Sequence, residues 1–321
     1  MRSSFATHAN TALVHSRAVF LFEQMKLRLH PALLCLTLCL AACAVTPPTE
    51  RAAHADSIAR AAGLQPLLIE TTMFDIHARL RATPGAPLLI IYIEGDGLAW
   101  RTRSEPSTDP TPLEPVALRL AATDDAPSVA WLARPCQFTG GEKARNCTKA
   151  WWTEARYGEP VIASLHASID TLKLKAGVTS LALAGYSGGG TVAALVAARR
   201  DDIAWLKTVA SPLDTDAFTT HHKVTPLTAS LTPADHAARL SSLPQIHYVG
   251  GDDDIVPPVI NQAIVASLAK KGCATLKILP GITHGKGWSE AWKERADKIP
   301  ACQPRNTHTG ERLLPCKVSN D

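Results

Sequence analysis

The chain has 321 residues, of which 46% are apolar, and 33 basic against 29 acidic side chains give it a net charge of +4. This composition excludes a disordered tail and a small disulfide-dense scaffold, and it can fill the core of one large domain or two small ones. The small positive excess lies mostly within residues 1–42, so the rest of the chain is close to neutral. Nucleic acid, which requires clustered Lys and Arg, is therefore not an expected partner, and we expect a small neutral or mildly polar ligand.

Residues 1–42 have the pattern of an export signal. From Met25, a short basic stretch precedes an apolar run at 31–40, which ends in the small residues Ala41 and Ala42 before Cys43. The apolar run is too short to cross a bilayer as a mature helix. We therefore predict a signal peptide over 1–42, with translation starting at Met25.

The end of this segment, Leu40-Ala41-Ala42-Cys43, resembles the lipobox of bacterial lipoproteins, in which the cysteine becomes the lipidated first residue after cleavage. The resemblance implies a membrane anchor at Cys43. Because Ala44 rather than Asp follows, it also implies an outer-membrane location facing the periplasm. An ordinary secretory signal that happens to precede a cysteine is the alternative, and it would also export the protein.

Beyond the anchor, the chain alternates between predicted strands and helices. Residues 43–62 are predicted to form a tether and an N-terminal segment that ends in an Ala-rich helix at 52–62. Residues 63–321 are predicted to form a single domain, since a strand-helix alternation favours a mostly parallel sheet covered by helices on both faces. The apolar and alternating runs predict strands at 67–72, 74–81, 88–93, 129–134, 180–185, 205–210, 245–249 and 274–279. Helical spacing predicts helices ending at 122 and over 161–174, 189–199, 233–242, 259–271 and 288–298.

A candidate nucleophile lies between a predicted strand and a predicted helix. Gly185-Tyr186-Ser187-Gly188-Gly189 fits the pattern Gly-x-Ser-x-Gly. The glycines are needed because a sharp turn from strand to helix forces the serine into strained backbone angles and leaves its neighbours no room for side chains. A serine hydroxyl attacks a carbonyl only when a base takes its proton, so this motif requires a histidine and an acid.

Both groups follow in the expected order. Gly250 begins the segment Gly-Gly-Asp-Asp-Asp-Ile-Val-Pro after one predicted strand, and His284-Gly285 follows the last one. With Ser187, these segments resemble the alpha/beta-hydrolase superfamily. The resemblance implies that fold and assigns Asp253 as the acid and His284 as the base. The length of the segment 211–243 leaves room for a small lid or none. Asp254 is the reserve acid, and a solvated turn or a cation site formed by the three aspartates is the alternative.

When the serine attacks a carbonyl, the carbonyl oxygen becomes negatively charged, and this oxyanion needs two backbone N–H donors. One of them comes from the residue after the nucleophile, here Gly188. The second is expected in Glu94-Gly95-Asp96-Gly97, and by position it is the N–H of Asp96. Relatives have His where this chain has Glu94, which leaves the second donor open. A carboxylate beside a forming oxyanion is unfavourable unless it is paired, so we expect Glu94 to make buried hydrogen bonds that fix the loop.

The cysteines are consistent with an exported protein. After Cys43 there are five, and the pairs that close short loops are Cys136 with Cys147 and Cys302 with Cys316, which leaves the partner of Cys273 open. Zinc ligation is the alternative, but no Cys-x-x-Cys or paired histidine spacing accompanies these residues. We expect neither a metal nor a cofactor.

The resulting hypothesis is an exported serine hydrolase that acts on small acyl esters. Peptidase, thioesterase or acyltransferase chemistry would use the same residues, and a non-catalytic envelope lipoprotein with a retained fold is the alternative from another class. Three segments, 92–97, 134–137 and 152–153, look like those of uncharacterised lipoproteins of the superfamily. The tryptophans at 151, 152, 288 and 292 are expected to pack in the core rather than to form a sugar platform, and His221-His222 could line a pocket.

Overall fold

The computed structural model describes residues 46–303. The predicted signal peptide, the predicted lipid anchor at Cys43 and the predicted disulfide partner Cys316 lie outside these residues. Within 46–303, no helix is long and apolar enough to cross a membrane.

Eight strands form one open sheet in the order β1-β2-β4-β3-β5-β6-β7-β8. Strand β2 runs antiparallel to both of its neighbours, and all pairs from β4 to β8 are parallel. The strands are β1 Gln65–Glu70, β2 Asp75–Arg81, β3 Leu88–Ile93, β4 Val129–Leu132, β5 Ser180–Tyr186, β6 Ile203–Val209, β7 Gln245–Gly250 and β8 Ala274–Leu279. The expected mostly parallel central sheet is confirmed.

The central strands are apolar on both faces because helices cover both. Side chains of alternate residues in β3 enter opposite core clusters, with Ile91 and Ile93 in one and Tyr92 in the other. Continuous apolar runs such as Leu88–Ile93 are typical of a strand buried on both sides. The helices are α1 Pro48–Ala61, α2 Val116–Ala122, α3 Glu159–Ala176, α4 Gly188–Ala197, α5 Thr215–His222, α6 Ala237–Leu240, α7 Pro258–Leu268 and α8 Trp288–Lys293.

Three helical segments differ from the sequence predictions. The helix predicted over 233–242 is a 3-10 helix at Pro233–His236 that leads into the four-residue α6. Helix α5 lies in a segment for which no helix is predicted. It begins where the Asp214 side chain accepts hydrogen bonds from the N–H groups of Asp216 and Ala217, which is the usual role of Asp before a first turn. The last helix was predicted over 288–298 but ends at Lys293, and the buried Lys207 donates to the carbonyls of Arg295 and Ala296 just beyond it. Those carbonyls thus bond to a side chain of the sheet.

One expected disulfide is present and the other pairing is different. Cys136 is bonded to Cys147, as predicted. Cys302 is bonded to Cys273 and not to Cys316, so the prediction that the two C-terminal cysteines pair was wrong. After α8 the chain returns to the start of β8, where the N–H of Gln303 donates to the carbonyl of Gly272 at 2.7 Å. This contact between distant segments brings Cys302 beside Cys273.

We expect the Cys273–Cys302 cross-link to contribute about 3 kcal/mol to the free energy of unfolding, because it closes a long loop in the unfolded chain. In urea denaturation, the free energy of unfolding should fall by the same amount in Cys273→Ser, in Cys302→Ser and in the double variant, since each variant lacks this one disulfide. Cys316→Ser is the matched control and should leave the cross-link intact in a non-reducing peptide map. A map that joins Cys302 to Cys316 would contradict this pairing.

Candidate active site

Ser187 occupies a sharp turn between β5 and α4. Its φ of 51° and ψ of −128° lie in a region that L residues rarely adopt. The turn tolerates no side chains at its glycines. A Cβ on Gly185 would lie 2.4 Å from the carbonyl oxygen of Gly189, and a Cβ on Gly189 would lie 2.2 Å from that of Ile93. The motif residues are therefore required by the close approach of β3, β5 and α4.

His284 lies in the loop after β8 and reaches the serine. Its Nε2 is 3.1 Å from the Ser187 Oγ. The backbone carbonyl of His284 accepts hydrogen bonds from the Tyr186 hydroxyl and the Trp288 indole N–H, both at 2.9 Å. Two side chains from different elements thus hold the loop that carries the imidazole.

Asp253 completes a hydrogen-bonded series of three side chains. Its Oδ2 and Oδ1 lie 2.9 and 3.2 Å from the Nδ1 of His284. Oδ1 also accepts hydrogen bonds from the N–H groups of Ile255 and Val256, and the carboxylate is fully buried. Asp254 is exposed, so the structure brings Asp253, and not the reserve residue, to His284. An imidazole held in this way donates from Nδ1 and can accept a proton at Nε2.

The two proposed backbone donors belong to segments that contact each other at the turn. Gly188 is the first residue of α4, and the N–H groups of a first helical turn have no intrahelical partner. Gly95 packs against the turn, because a Cβ placed on it would lie 3.3 Å from the Cβ of Ser187. The next N–H, that of Asp96, makes no hydrogen bond to any residue within 46–303.

Glu94 makes the structural contacts that were expected of it. Its two carboxylate oxygens accept hydrogen bonds from the N–H groups of Gly95, Ala117 and Leu118 and from the Trp131 indole, at 3.0 to 3.2 Å. Burial raises the pKa of Glu94 to about 6, although these four donors oppose the shift. Glu94 therefore ties the loop after β3 to the first turn of α2.

Asp96 has partners that its sequence neighbourhood does not suggest. Its Oδ1 accepts from Arg134 and its Oδ2 from Arg156, both at 3.0 Å, while the Tyr157 hydroxyl lies 3.4 Å away. Burial alone would raise the pKa of Asp96, but the guanidinium groups of Arg156 and Arg134 outweigh it and hold that pKa below its usual value. Asp96 is thus an ionised carboxylate between two cations.

Sequence reasoning did not assign roles to Arg134, Arg156, Tyr157 or Gln137. Gln137 donates to the carbonyl of Gly95 at 2.9 Å and accepts from the N–H of Arg134 at 3.1 Å. Three segments resemble lipoproteins of the superfamily, namely 92–97, 134–137 and 152–153. They meet around Asp96, since Arg134 bonds to Asp96, Gln137 to Gly95, and Arg156 to both Asp96 and Thr153. In the sequence, that resemblance was the signal that pointed to Arg134 and Gln137, and it assigned them no role.

Two insertions lie at the carboxyl edge of the sheet. One follows β4 and includes the Cys136–Cys147 bond, and the other joins β6 to β7 and contains α5 and α6. They meet where the N–H of Leu231 donates to the carbonyl of Tyr157 at 3.1 Å and the N–H of Tyr157 donates to the hydroxyl of Ser230. At the end of α5, His222 contacts the carbonyl of Ile255 at 2.8 Å, close to Asp253.

The predicted core position of the tryptophans and the possible metal ligands can be compared with the structure. Trp152, Trp288 and Trp292 are buried in the core, as expected, and Trp151 is partly buried and packs against it. In the described part of the chain, no group of three or more His, Cys, Asp or Glu side chains is placed to hold a metal ion.

Neither a protein-family model nor a curated protein matches the sequence. Among solved structures, Est1E from Butyrivibrio proteoclasticus is similar, with a TM-score of 0.50 and 18% identity over 72% of this chain and 96% of that one. The Pyrococcus furiosus esterase Pf2001 has a TM-score of 0.52 and 14% identity, over 74% of this chain and 90% of that one. A puromycin-hydrolyzing peptidase from Mycobacterium tuberculosis has a TM-score of 0.50 and 15% identity, over 74% of this chain and 39% of that one. The chain has the fold that these hydrolases share, the alpha/beta-hydrolase fold, which confirms the fold predicted from the sequence.

The strained backbone at Ser187 predicts a stability difference between two inactive variants. In urea denaturation, the free energy of unfolding of Ser187→Gly should exceed that of Ser187→Ala by about 1 to 2 kcal/mol, because glycine adopts positive φ without a Cβ clash. The alanine variant controls for loss of the hydroxyl. Equal stabilities would contradict strain at this position.

Glu94→Gln should lower the free energy of unfolding by about 2 to 4 kcal/mol at pH 8, where the native carboxyl is ionised. The amide NH₂ would replace an oxygen that accepts two hydrogen bonds, so N–H donors would face a donor. Urea denaturation provides the measurement, and Glu105→Gln, at an exposed carboxylate in the following loop, is the control. A loss as small as that of the control would contradict the anchoring role of Glu94.

Proposed function

We propose that this chain is a serine hydrolase that cleaves carboxylic esters, with Ser187 as nucleophile, His284 as general base and Asp253 as the acid that orients the imidazole. The observation that carries the proposal is the continuous series from Ser187 Oγ to His284 Nε2 at 3.1 Å and from His284 Nδ1 to Asp253 Oδ2 at 2.9 Å. The strained turn supports the same assignment, since strain of this kind clusters at reactive residues.

In the first half of the reaction, Ser187 Oγ attacks the acyl carbonyl carbon while its proton passes to Nε2 of His284. The carbonyl oxygen becomes an oxyanion, which the N–H groups of Gly188 and Asp96 stabilise. The intermediate collapses when the bond to the leaving alkoxide breaks. The imidazolium returns the proton to that oxygen, so an alcohol departs and an acyl-serine remains.

In the second half, water takes the place of the alcohol. His284 accepts a proton from the water, whose oxygen attacks the acyl-serine carbonyl. The second intermediate collapses to the carboxylic acid, and Ser187 recovers its proton from the imidazolium. Attack by an alcohol, a thiol or an amine acceptor in this step would make the same triad an acyltransferase, so the acceptor and not the triad distinguishes the two reactions.

Esters of modest size are the proposed substrates. The insertion between β6 and β7 contains two short helices, α5 and α6, which is little cover for a long acyl chain. Esterases and a peptidase are among the proteins with a similar fold, and fold alone does not select between these activities. A peptide substrate therefore belongs in the first activity panel.

We also propose that the protein acts at the cell envelope, anchored through lipid on Cys43. The support is the Leu-Ala-Ala-Cys ending of residues 40–43 after a basic and apolar leader. Metabolic labelling with a palmitate analogue tests it. Cys43→Ser should abolish the label, Cys39→Ser should retain it, and labelling that survives Cys43→Ser would contradict the anchor.

Labelling by a fluorophosphonate probe tests the nucleophile without knowledge of the substrate. The mature protein should be modified once, Ser187→Ala should not be modified, and His284→Ala should react at least about 100-fold more slowly, because the base no longer takes the serine proton. Ser211→Ala, which removes another buried hydroxyl near this edge of the sheet, is the control and should label normally. A native protein that resists the probe would favour the non-catalytic alternative.

Asp253→Asn and Asp254→Asn form a matched pair at adjacent positions. Hydrolysis of p-nitrophenyl acetate should fall about 10³- to 10⁴-fold in kcat/KM for Asp253→Asn, since the amide favours the wrong imidazole tautomer. Asp254→Asn should stay within about threefold, as expected at an exposed position. A larger loss at 254 than at 253 would reassign the acid.

A further inference from the structure

The carboxylate of Asp96 lies directly against the nucleophile turn. A Cβ placed on Gly188 would be 2.0 Å from the Oδ1 of Asp96 and 2.6 Å from its Cγ. The N–H of Gly188 is one of the two donors assigned to the oxyanion, and the N–H of Asp96 is the other. A negative charge on the Asp96 side chain therefore lies next to the place where the reaction develops its own negative charge, and the two repel each other.

Two arginines from different parts of the chain offset this charge. Arg134 follows β4 and Arg156 precedes α3, and each donates to a different oxygen of Asp96 at 3.0 Å. Arg134 is 4% exposed and Arg156 is 15% exposed. The three side chains together carry one net positive charge, where Asp96 alone would carry one negative charge.

The arginines are themselves held in place. Arg156 Nε donates to the carbonyl of Thr153 at 2.6 Å, and the Arg134 guanidinium donates to the carbonyl of Arg156 and stacks 5.4 Å from the Tyr157 ring centroid. Glu94, the carboxylate nearest to Asp96 along the chain, bonds to α2 and Trp131 and does not share these cations. Asp96 is thus the carboxylate that forms an ion pair with both cations.

We propose that Arg134 and Arg156 are positioning residues of the reaction, which offset the negative charge of Asp96 beside the forming oxyanion. The inference rests on the proposed serine hydrolase function and adds the electrostatic condition under which its oxyanion site works. Neither arginine needs to touch the reacting atoms. Both act through Asp96.

Charge compensation and a simple structural clamp predict different results when the carboxylate is removed. If the arginines compensate charge, loss of one arginine is harmful because Asp96 is charged, and Asp96→Asn should restore the reaction. If they only hold the loop, Asp96→Asn removes further hydrogen bonds and should make the defect worse. The double variant therefore separates the two roles.

The experiment uses the mature protein with Arg156→Gln, Arg156→Lys, Asp96→Asn and the double variant Asp96→Asn/Arg156→Gln. Arg156 is chosen because it is the more exposed arginine and its loss is better tolerated by the fold. Two reactions are measured. Inactivation by a fluorophosphonate gives a rate constant, and hydrolysis of p-nitrophenyl acetate gives kcat and KM. The final extent of labelling counts intact sites and corrects both rates for misfolded protein.

We expect Arg156→Gln to lower kcat and the inactivation rate about 100-fold, comparable to the loss of one oxyanion donor, with KM within about threefold. Arg156→Lys keeps the charge and should lose less than about tenfold. The double variant should recover at least about tenfold relative to Arg156→Gln.

Arg200 and Asp202 provide a matched control cycle. Arg200 is also buried, at 6% exposed, and bonds to Asp202 and Asp170. Asp202 precedes β6, at the edge of the parallel sheet opposite to Ser187, which follows β5. Arg200→Gln should lower thermal stability and leave both rates, corrected for intact sites, within about threefold.

The outcomes distinguish this inference from the proposed function. If the native protein labels and Arg156→Gln reacts normally, or if Asp96→Asn does not rescue it, charge compensation is wrong while the serine hydrolase stands. If the native protein does not label at Ser187, the proposed function fails and the inference fails with it. Loss in Arg156→Gln that is rescued in the double variant, with both corrected rates retained in Arg200→Gln, supports the proposal.

Discussion

The reversal of the chain at Ser187 constrains every other part of the site. Strand β5 must turn into α4 within one residue, which places Ser187 at a φ of 51° and brings its neighbours within 2.4 Å of positions that a side chain would occupy. Strain of this kind persists only when the surroundings enforce it. Here β3 lies against the turn on one side, and the pairing of β5 between β3 and β6 holds it on both edges.

The parallel sheet explains why the other groups reach this turn. The carboxyl ends of β3, β5, β7 and β8 lie at one edge, so the loops that follow them carry Asp96, Ser187, Asp253 and His284 to the same region. Asp253 approaches His284 because its loop is closed by two backbone N–H groups on Oδ1. The imidazole then bridges the buried carboxylate and the serine hydroxyl.

Three carboxylates near the site are kept apart by their partners. Asp253 bonds to His284 and two N–H groups, Glu94 bonds to four neutral donors at α2 and Trp131, and Asp96 bonds to Arg134 and Arg156. Burial raises the pKa of Glu94 to about 6, whereas the cations hold that of Asp96 below its usual value. Glu94 and Asp96, which are close neighbours in the chain, thus have different charge environments.

The sequence by itself determined the features that depend on short-range order. The strand-turn-helix at Ser187, the aspartate three residues after Gly250 and the histidine after the last strand are local patterns. Through their resemblance to the alpha/beta-hydrolase superfamily, they predicted the fold and the three side chains that the structure brings together. Only the tertiary structure decided which arginines meet Asp96, at separations of 38 and 60 residues, and that Cys302 meets Cys273 rather than Cys316. Such partners are selected by the way loops pack over the sheet edge, and this packing depends on the shapes of segments that have no periodic signal of their own.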